Sequence, residues 1–349
     1  MNACCDGTRL FDSNVETEAN HFAASLLQSS ELPILCPIFS FDLDRWKWTI
    51  VMRPILFSAI RQIVVKFAWH WRRPKSVVVM EIKVGFEIAY AAVQSTPMAI
   101  MLSIHPSRFA DIVGTESIVA EPNVPIGFYR DSFGNVCGRL VAPAGGVTLR
   151  GSALVRDSGL PDVVVPAAQQ IPIDQLPNEC LLYLMASRYC ETDKLTEIAW
   201  SLFGHTRPGW ERVAAICTFV HNHVTFGYQY AHHMKSAHDV YEHGTGVCRD
   251  FAHLALTFCR CMNIPARYCT GYMGDIGIPP DPEPMDFSGW FEVYLSGRWY
   301  TFDARHNKPR IGRILMGTGR DAADVALTTS FGRMDLVKFV VISDEVVAA

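Results

Sequence analysis

The residue best suited to covalent chemistry is Cys248, which follows a turn bracketed by Gly244 and Gly246 and precedes an apolar stripe at helical spacing. This spacing predicts that the thiol lies just before or in the first turn of a helix. A helix N-terminus has partial positive charge and unpaired N–H groups, which favour a thiolate and can hold an oxyanion. Arg249 adds local positive charge. The pattern makes Cys248 a candidate nucleophile, although a cysteine is more often a small buried hydrophobe.

The other cysteines lack this setting. Cys259 and Cys261 lie at the far end of the same predicted helix, and Cys217 belongs to an apolar helical face. The ordinary buried role is expected for these three and for Cys269. The eleven cysteines are scattered, and the N-terminus lacks a basic region followed by an uninterrupted apolar one. These features favour a reduced, cytoplasmic protein.

A β-hairpin downstream of Cys248 is predicted to carry further site residues. The segments WFEVYL and RWYTFD flank Ser296-Gly297, which predicts two antiparallel strands joined by a two-residue turn. Counting back along the ladder puts Ser288 and Asp303 on one face as diagonal neighbours, about 5–8 Å apart. If the Cys248 helix packs against that face, this is the layout in which an aspartate orients a histidine base.

These stretches carry a resemblance to a known family. GVCRDFAHLALTFCRCMNIPARYCTGYMGD and GWFEVYLSGRWYTFDARHN resemble the bacterial transglutaminase-like superfamily, whose papain-like core uses a Cys, a His and an Asp. MEIKVGFEIAYAA and PMAIMLSIHPSR are similar to the β-rich region that often precedes that core. The resemblance covers roughly residues 80–345. It implies attack on a carboxamide or peptide carbonyl, a thioester intermediate and no cofactor.

Carried over residue by residue, the resemblance implies that Cys248 is the nucleophile and that Asp303 orients the histidine. The histidine itself is absent, because Ser288-Gly289-Trp290 stands where many members have His-Ala-Trp. His306 and His253 are the nearest alternative bases in sequence. The hairpin count puts His306 on the face away from the serine, and His253 projects about 140° around the helix from the cysteine.

Two functions remain open at this point. The first is thiol-dependent acyl transfer or hydrolysis on peptide or amide substrates, as in a cysteine protease, amidase or transglutaminase, slowed about 10²–10⁴-fold where a general base is lost. The alternative is an impaired domain that serves as a peptide- or protein-binding scaffold. Gly246, Arg249, Tyr272 and Trp290 are the expected cleft residues. The preceding PPDPEPMDF stretch, which includes Asp286, is expected to be a stiff solvated loop.

The elements that position these residues predict an α+β protein. Residues 1–79 form an uncertain leader, either a mis-annotated or poorly ordered start or, for Trp48–Trp71, a basic amphipathic helix on a membrane surface. Residues 80–167 read as a β-sandwich-like module. Residues 168–310 form the papain-like core, with Thr192 capping one helix and Pro208 in the first turn of the next. Residues 311–349 are expected to extend the core, with LVKFVVI as a strand.

Composition excludes several other functions. A formal net charge of −4 and a pI near 6.3 provide no basic surface for nucleic acid. No apolar run approaches the ~20 residues that a membrane span needs. Histidines are dense between residues 221 and 253, but their spacing matches no zinc signature, so no metal is expected. A peptide or protein substrate is the expected partner.

Overall fold

The computed structural model describes residues 39–42, 47–50, 80–280 and 284–346. Contacts divide the chain into two units, Met1–Lys75 and Ser76–Ala349. In the first unit, strand β1 (Phe39–Asp42) pairs antiparallel with β2 (Lys47–Ile50). The surface helix predicted from Trp48 therefore starts within a strand. The rest of that prediction, and most of the leader, lies outside the described residues.

The second unit begins with a β-sandwich-like module of two four-stranded antiparallel sheets, in the strand orders β16-β3-β8-β5 and β15-β4-β7-β6. Strand β3 shows why these residues form strands, since Ile82, Val84 and Ile88 are at most 1% exposed while the intervening Lys83 is exposed. Strands of the module are β3 (Met80–Ala92), β4 (Thr96–Ile100), β5 (Ile112–Glu121), β6 (Gly127–Arg130), β7 (Val136–Ala142), β8 (Val147–Asp157), β15 (Thr328–Ser330) and β16 (Met334–Val346). A turn at Asp131–Asn135 joins β6 to β7.

The C-terminal strands differ from the prediction that residues 311–349 extend the core. Only β14 (Arg313–Gly319) joins the core sheet, whereas β16 pairs with β3 along nearly its whole length. The physical reason is that β3 pairs with β8 on one side only, so its other edge has free backbone groups for the last strand. Val341, only 6% exposed, packs into the core of the sandwich.

The core places helices against a four-stranded antiparallel sheet of order β13-β12-β11-β14. The helices are α1 (Asn178–Leu181), α2 (Thr192–Phe203), α3 (Trp210–His223), α4 (Ala237–His243) and α5 (Cys248–Cys261), and the strands are β9 (Thr225–Phe226), β10 (Thr245–Gly246), β11 (Ala266–Met273), β12 (Ser288–Leu295) and β13 (Arg298–Phe302). Short 3-10 turns occupy Pro106–Asp111, Ile173–Gln175, Leu182–Leu184 and Tyr228–Tyr230.

Two helix starts are shifted from the predicted ones. Thr192 is the first residue of α2, and Glu191 holds the cap position without a side-chain hydrogen bond. Pro208 precedes α3, which starts after Gly209 at a φ of 107°. The left-handed backbone at this glycine turns the chain, so the proline ends outside the helix.

Helix α5 is buried on almost every side. Its Leu254 and Phe258 share one apolar cluster with Phe291 and Val293 of β12. The alternate residues of the strand therefore face the helix, as the period of two requires. A second apolar cluster joins the sandwich to the core sheet, for example through Ile314 of β14.

Candidate active site

The turn before α5 fixes the position of Cys248. Gly244 ends α4 in the left-handed conformation with a φ of 62°, and Cys248 is the first residue of α5. The carboxylate of Asp250 is fully buried and accepts the Val247 N–H at 2.9 Å. A Cβ on Gly246 would lie 2.5 Å from the Asp250 Cβ, so this glycine lets the turn close over the carboxylate instead of lining a cleft.

The Cys248 thiol is half-buried and lines a cavity of about 530 Å³. The cavity wall comes from the start of α5, the start of β12, strand β11, the first residue of β15 and loop residues 189, 231–233, 286–287, 322 and 325–327. Besides Cys248, its polar and aromatic lining residues are Tyr189, His232, His233, Arg249, Tyr268, Thr270, Asp286, Phe287, Ser288 and Thr328. A peptide-sized group can therefore approach the sulfur from this side.

The surroundings of the thiol keep it protonated. Burial and the negative charge of Asp286 raise the pKa of Cys248 to about 11, while Arg305 and the backbone N–H groups of Gly289 and Arg249 act in the opposite direction. Arg249 itself forms an ion pair with Asp250 at 2.9 Å, so the two charges largely cancel. The N–H group at the helix start does lower the pKa of the thiol, but burial and Asp286 outweigh it, so a proton acceptor is needed.

Ser288 stands beside the thiol but cannot accept its proton. It is the first residue of β12, is 6% exposed and lines the Cys248 cavity. Its buried Oγ has no hydrogen-bond partner among the described residues. A buried hydroxyl without a partner is costly. The position that the resemblance gives to a histidine is therefore on the wall of the Cys248 cavity and holds an unpaired hydroxyl.

Asp303 follows β13 and is engaged by other residues. Its Oδ2 accepts hydrogen bonds from Arg313 Nη2 at 2.8 Å and from His306 Nδ1 at 2.9 Å. Burial alone would raise the pKa of Asp303, but the Arg313 charge and the His306 hydrogen bond hold it well below its usual range. The predicted ladder ends at Phe291 opposite Phe302, so Ser288 and Asp303 are not ladder neighbours.

Residues 197–304 match the model of the Transglutaminase-like superfamily. These residues form a transglutaminase-like core. The chain is also similar, at 28% identity and a TM-score of 0.67, to the crystal structure of a candidate cysteine protease from Cytophaga hutchinsonii, with 78% of this chain and 92% of that chain covered. An uncharacterized protein of Mycobacterium leprae is 36% identical over 85 residues, 23% of this chain and 30% of that protein. The matched segment thus spans less than a third of that curated relative's length.

Neither of the two alternative histidines lines the Cys248 cavity of the transglutaminase-like core. His306 is hydrogen bonded to Asp303 through both its ring and its backbone N–H. His253 is fully buried between the rings of Tyr189 and Tyr268, at centroid distances of 5.1 and 5.0 Å. Burial lowers its pKa well below the usual value, and its Nε2 accepts the Ala322 N–H at 3.1 Å. His253 is therefore a neutral packing residue.

Two predicted cleft residues lie elsewhere in the transglutaminase-like core. Trp290 is 2% exposed and packs under the Arg313 guanidinium, 5.0 Å from the ring centroid. Tyr272 is 3% exposed and packs against Phe287 in the second apolar cluster. Trp290 alternates with the helix-facing Phe291, and Tyr272 follows a β-bulge between Thr270 and Gly271, so aromatic character alone misplaced them. Arg249 lines the cavity.

Asp286 lines the cavity, contrary to its expected place in a solvated loop. Burial raises the pKa of this half-buried carboxyl. The period of two gave no signal for it, because Trp290, at the same alternation as Ser288 and Asp286, packs under Arg313 and not on the cavity wall. The neighbouring histidines His232 and His233, whose rings stack at 5.0 Å, also line the cavity.

The remaining dense histidines make structural hydrogen bonds. His221 Nδ1 donates to the Arg305 carbonyl at 2.8 Å, and His223 Nε2 donates to the Tyr241 carbonyl at 2.6 Å. Among residues 80–280 and 284–346, no three His, Cys, Asp or Glu side chains are grouped so as to hold a metal ion. In the same part of the chain, no helix is both long and apolar enough to cross a membrane.

Proposed function

We propose that the transglutaminase-like core catalyses acyl transfer or hydrolysis on peptide or amide substrates through a thioester on Cys248. The observation that carries this proposal is the placement of a half-buried thiol at the first residue of α5, on the wall of a cavity of about 530 Å³. The similarity to the candidate cysteine protease over 78% of the chain supports it.

The reaction follows from the position of the sulfur. The thiolate attacks the carbonyl carbon, and the backbone N–H groups of Gly289 and Arg249 stabilise negative charge at this point of the site. The amine leaves, and the thioester is resolved by water or by a second amine. The cavity is open to solvent, which supports hydrolysis at least as well as cross-linking.

The main experiment compares two cysteines of one helix. Wild-type protein and the Cys248→Ala and Cys261→Ala variants are incubated with a library of fluorogenic peptide amides, and product release is measured. We expect Cys248→Ala to lose all turnover and Cys261→Ala, altered at the other end of α5, to retain it. Equal turnover in the two variants would overturn the proposal.

A scaffold function is the second candidate, and the site itself favours it in one respect. Ser288 replaces the histidine, and Asp303 is already bound by Arg313 and His306. If the domain is a scaffold, calorimetry should show that wild-type protein and the Cys248→Ala variant bind the same peptides with equal affinity. Neither protein should turn these peptides over.

Ser288→His tests whether only the base is missing. An imidazole at this position lies on the wall of the Cys248 cavity, and a restored general base is expected to raise hydrolysis by about 10²-fold. The Ser288→His, Cys248→Ala double variant is the control and is expected to show no gain. An unchanged rate in the single variant would favour the scaffold function.

A further inference from the structure

The groups around the thiol differ in their charge and in the partners that they contact. Arg249 donates to Asp250 Oδ1 at 2.9 Å and to the His232 carbonyl at 2.7 Å. Burial raises the pKa of Tyr268 well above its usual value, so this phenol stays neutral. Arg305 packs its guanidinium over the Phe226 ring, at 3.7 Å from the centroid. His232 and His233 stack on each other at the cavity wall.

Asp286 is the acidic group of this set. Within the described ranges its carboxylate forms no ion pair with a Lys, Arg or His nitrogen within 4.0 Å. It lines the same cavity as Cys248 and Ser288. Its negative charge is also the strongest charge acting on the thiol, and Arg305 acts on both groups. A carboxylate with no ion pair among the described residues, hydrogen bonded to the Phe287 backbone N–H, therefore lines the cavity that holds the sulfur, on the segment that leads into the serine.

We propose that Asp286 accepts the proton of the Cys248 thiol, in place of the histidine that Ser288 replaces. This inference rests on the proposed function and assigns its general base. The S–H bond breaks as an O–H bond forms on the carboxylate, and the sulfur lone pair forms the C–S bond. The amine takes that proton as its C–N bond breaks. Water then returns a proton to Asp286 as it attacks the thioester, and the departing sulfur recovers it.

Alkylation and hydrolysis rates of the Asp286→Asn variant distinguish a general base from a structural residue, because only loss of a base changes the two rates in opposite directions. Removing the negative charge lowers the thiol pKa, so alkylation of Cys248 by iodoacetamide at pH 8 is expected to become faster. Loss of the base lowers the kcat/KM of Cys248-dependent hydrolysis by about 10²–10⁴-fold. Asp174→Asn, at an exposed carboxylate, is the matched control and is expected to change neither rate.

Each outcome decides the inference. If Asp286→Asn speeds alkylation and hydrolysis together, or leaves hydrolysis unchanged, Asp286 is not the base. If wild-type protein has no Cys248-dependent turnover, the proposed function fails and the inference fails with it. The Asp286→Ala variant, assayed with added sodium formate, distinguishes loss of the base from a folding defect, because formate can supply the missing carboxylate. Recovery of turnover by formate supports the base role, and its absence in a folded variant contradicts it.

Discussion

At the level of single residues, two ionisable groups of the core are displaced from their ordinary behaviour in different ways. Cys248 is a thiol held in its neutral form by burial and by Asp286. Asp303 is a carboxyl held in its charged form by Arg313 and His306. The first group therefore needs help to react, whereas the second is already committed to an ion pair. The group proposed to react, Cys248, is therefore distinct from the buried ionised group, Asp303.

Iodoacetamide titration tests the state of the Cys248 thiol. Because burial and Asp286 raise its pKa to about 11, the alkylation rate of this residue should keep rising above pH 9. Mass spectrometry of the peptide that contains Cys248 follows the reaction at each pH. A midpoint at or below the unperturbed value of about 8.5 would contradict this electrostatic account.

Replacement of Asp303 tests the structural ion pair. Asp303→Asn leaves the buried Arg313 without one of its two carboxylates and should lower the free energy of unfolding at pH 7 by about 3–5 kcal/mol. Asp335→Asn, in an exposed pair with Arg333, is the control and should cost under about 1 kcal/mol. Urea unfolding measures both variants.

The same variant has a pH dependence of defined sign. A carboxyl whose native pKa is depressed contributes stability that is present above its unfolded pKa of about 3.9 and is lost as pH falls toward the native value. The stability gap between wild type and Asp303→Asn should therefore narrow below pH 4. A gap that stays constant from pH 7 to pH 3 would show that the lost stability comes from packing and not from charge.

At the level of elements, the contact between β12 and the start of α5 controls the site. A Cβ on Gly289 would lie 2.4 Å from the Tyr268 hydroxyl and 3.4 Å from the Arg249 Cα. The strand can approach the helix start this closely only without a side chain at this position. That close approach brings the Gly289 N–H to the Cys248 thiol.

A double-mutant cycle at this contact tests that interpretation. Gly289→Ala overpacks the interface and should cost about 1–3 kcal/mol of stability. Tyr268→Phe removes the hydroxyl that the new methyl group would meet, so the double variant should recover much of that loss. Strictly additive effects in chemical denaturation would mean that the two residues do not share the contact.

The local parts of these elements could be predicted from the sequence, and their ends could not. The start of α5 at Cys248 and the turn after Leu295 follow from nearby spacing and turn residues. The ladder, however, stops at Phe302, where Asp303 turns to bind His306 and Arg313. Such a stop depends on a side chain of another strand, so counting along the hairpin could not find it.

At the level of the whole molecule, the last strand closes the first module. The strand at LVKFVVI was predicted, but its partner was not, because β16 pairs with β3 from the opposite end of the second unit. Local sequence patterns carry no information about such distant pairing. The same limit hid Asp286, whose approach to Cys248 depends on how the loop before β12 meets the helix start.

Adjacent residues of β16 test its role in the fold. Val341 is 6% exposed and belongs to the sandwich cluster, whereas Val340 is 38% exposed. Val341→Asp buries a charge and should lower the free energy of unfolding by at least about 2 kcal/mol, while Val340→Asp should change it little. Equal effects of the two substitutions in thermal and urea unfolding would contradict the observed register.

The most direct test of the thioester is to trap it. Wild-type protein is mixed with a peptide carboxamide or a reactive peptide ester, quenched in acid and digested, and the acyl mass is located by mass spectrometry. The account predicts a hydroxylamine-sensitive acyl group on the peptide that contains Cys248, absent in Cys248→Ala. Acylation confined to other cysteines, or no acylation by any substrate of the library, would contradict it.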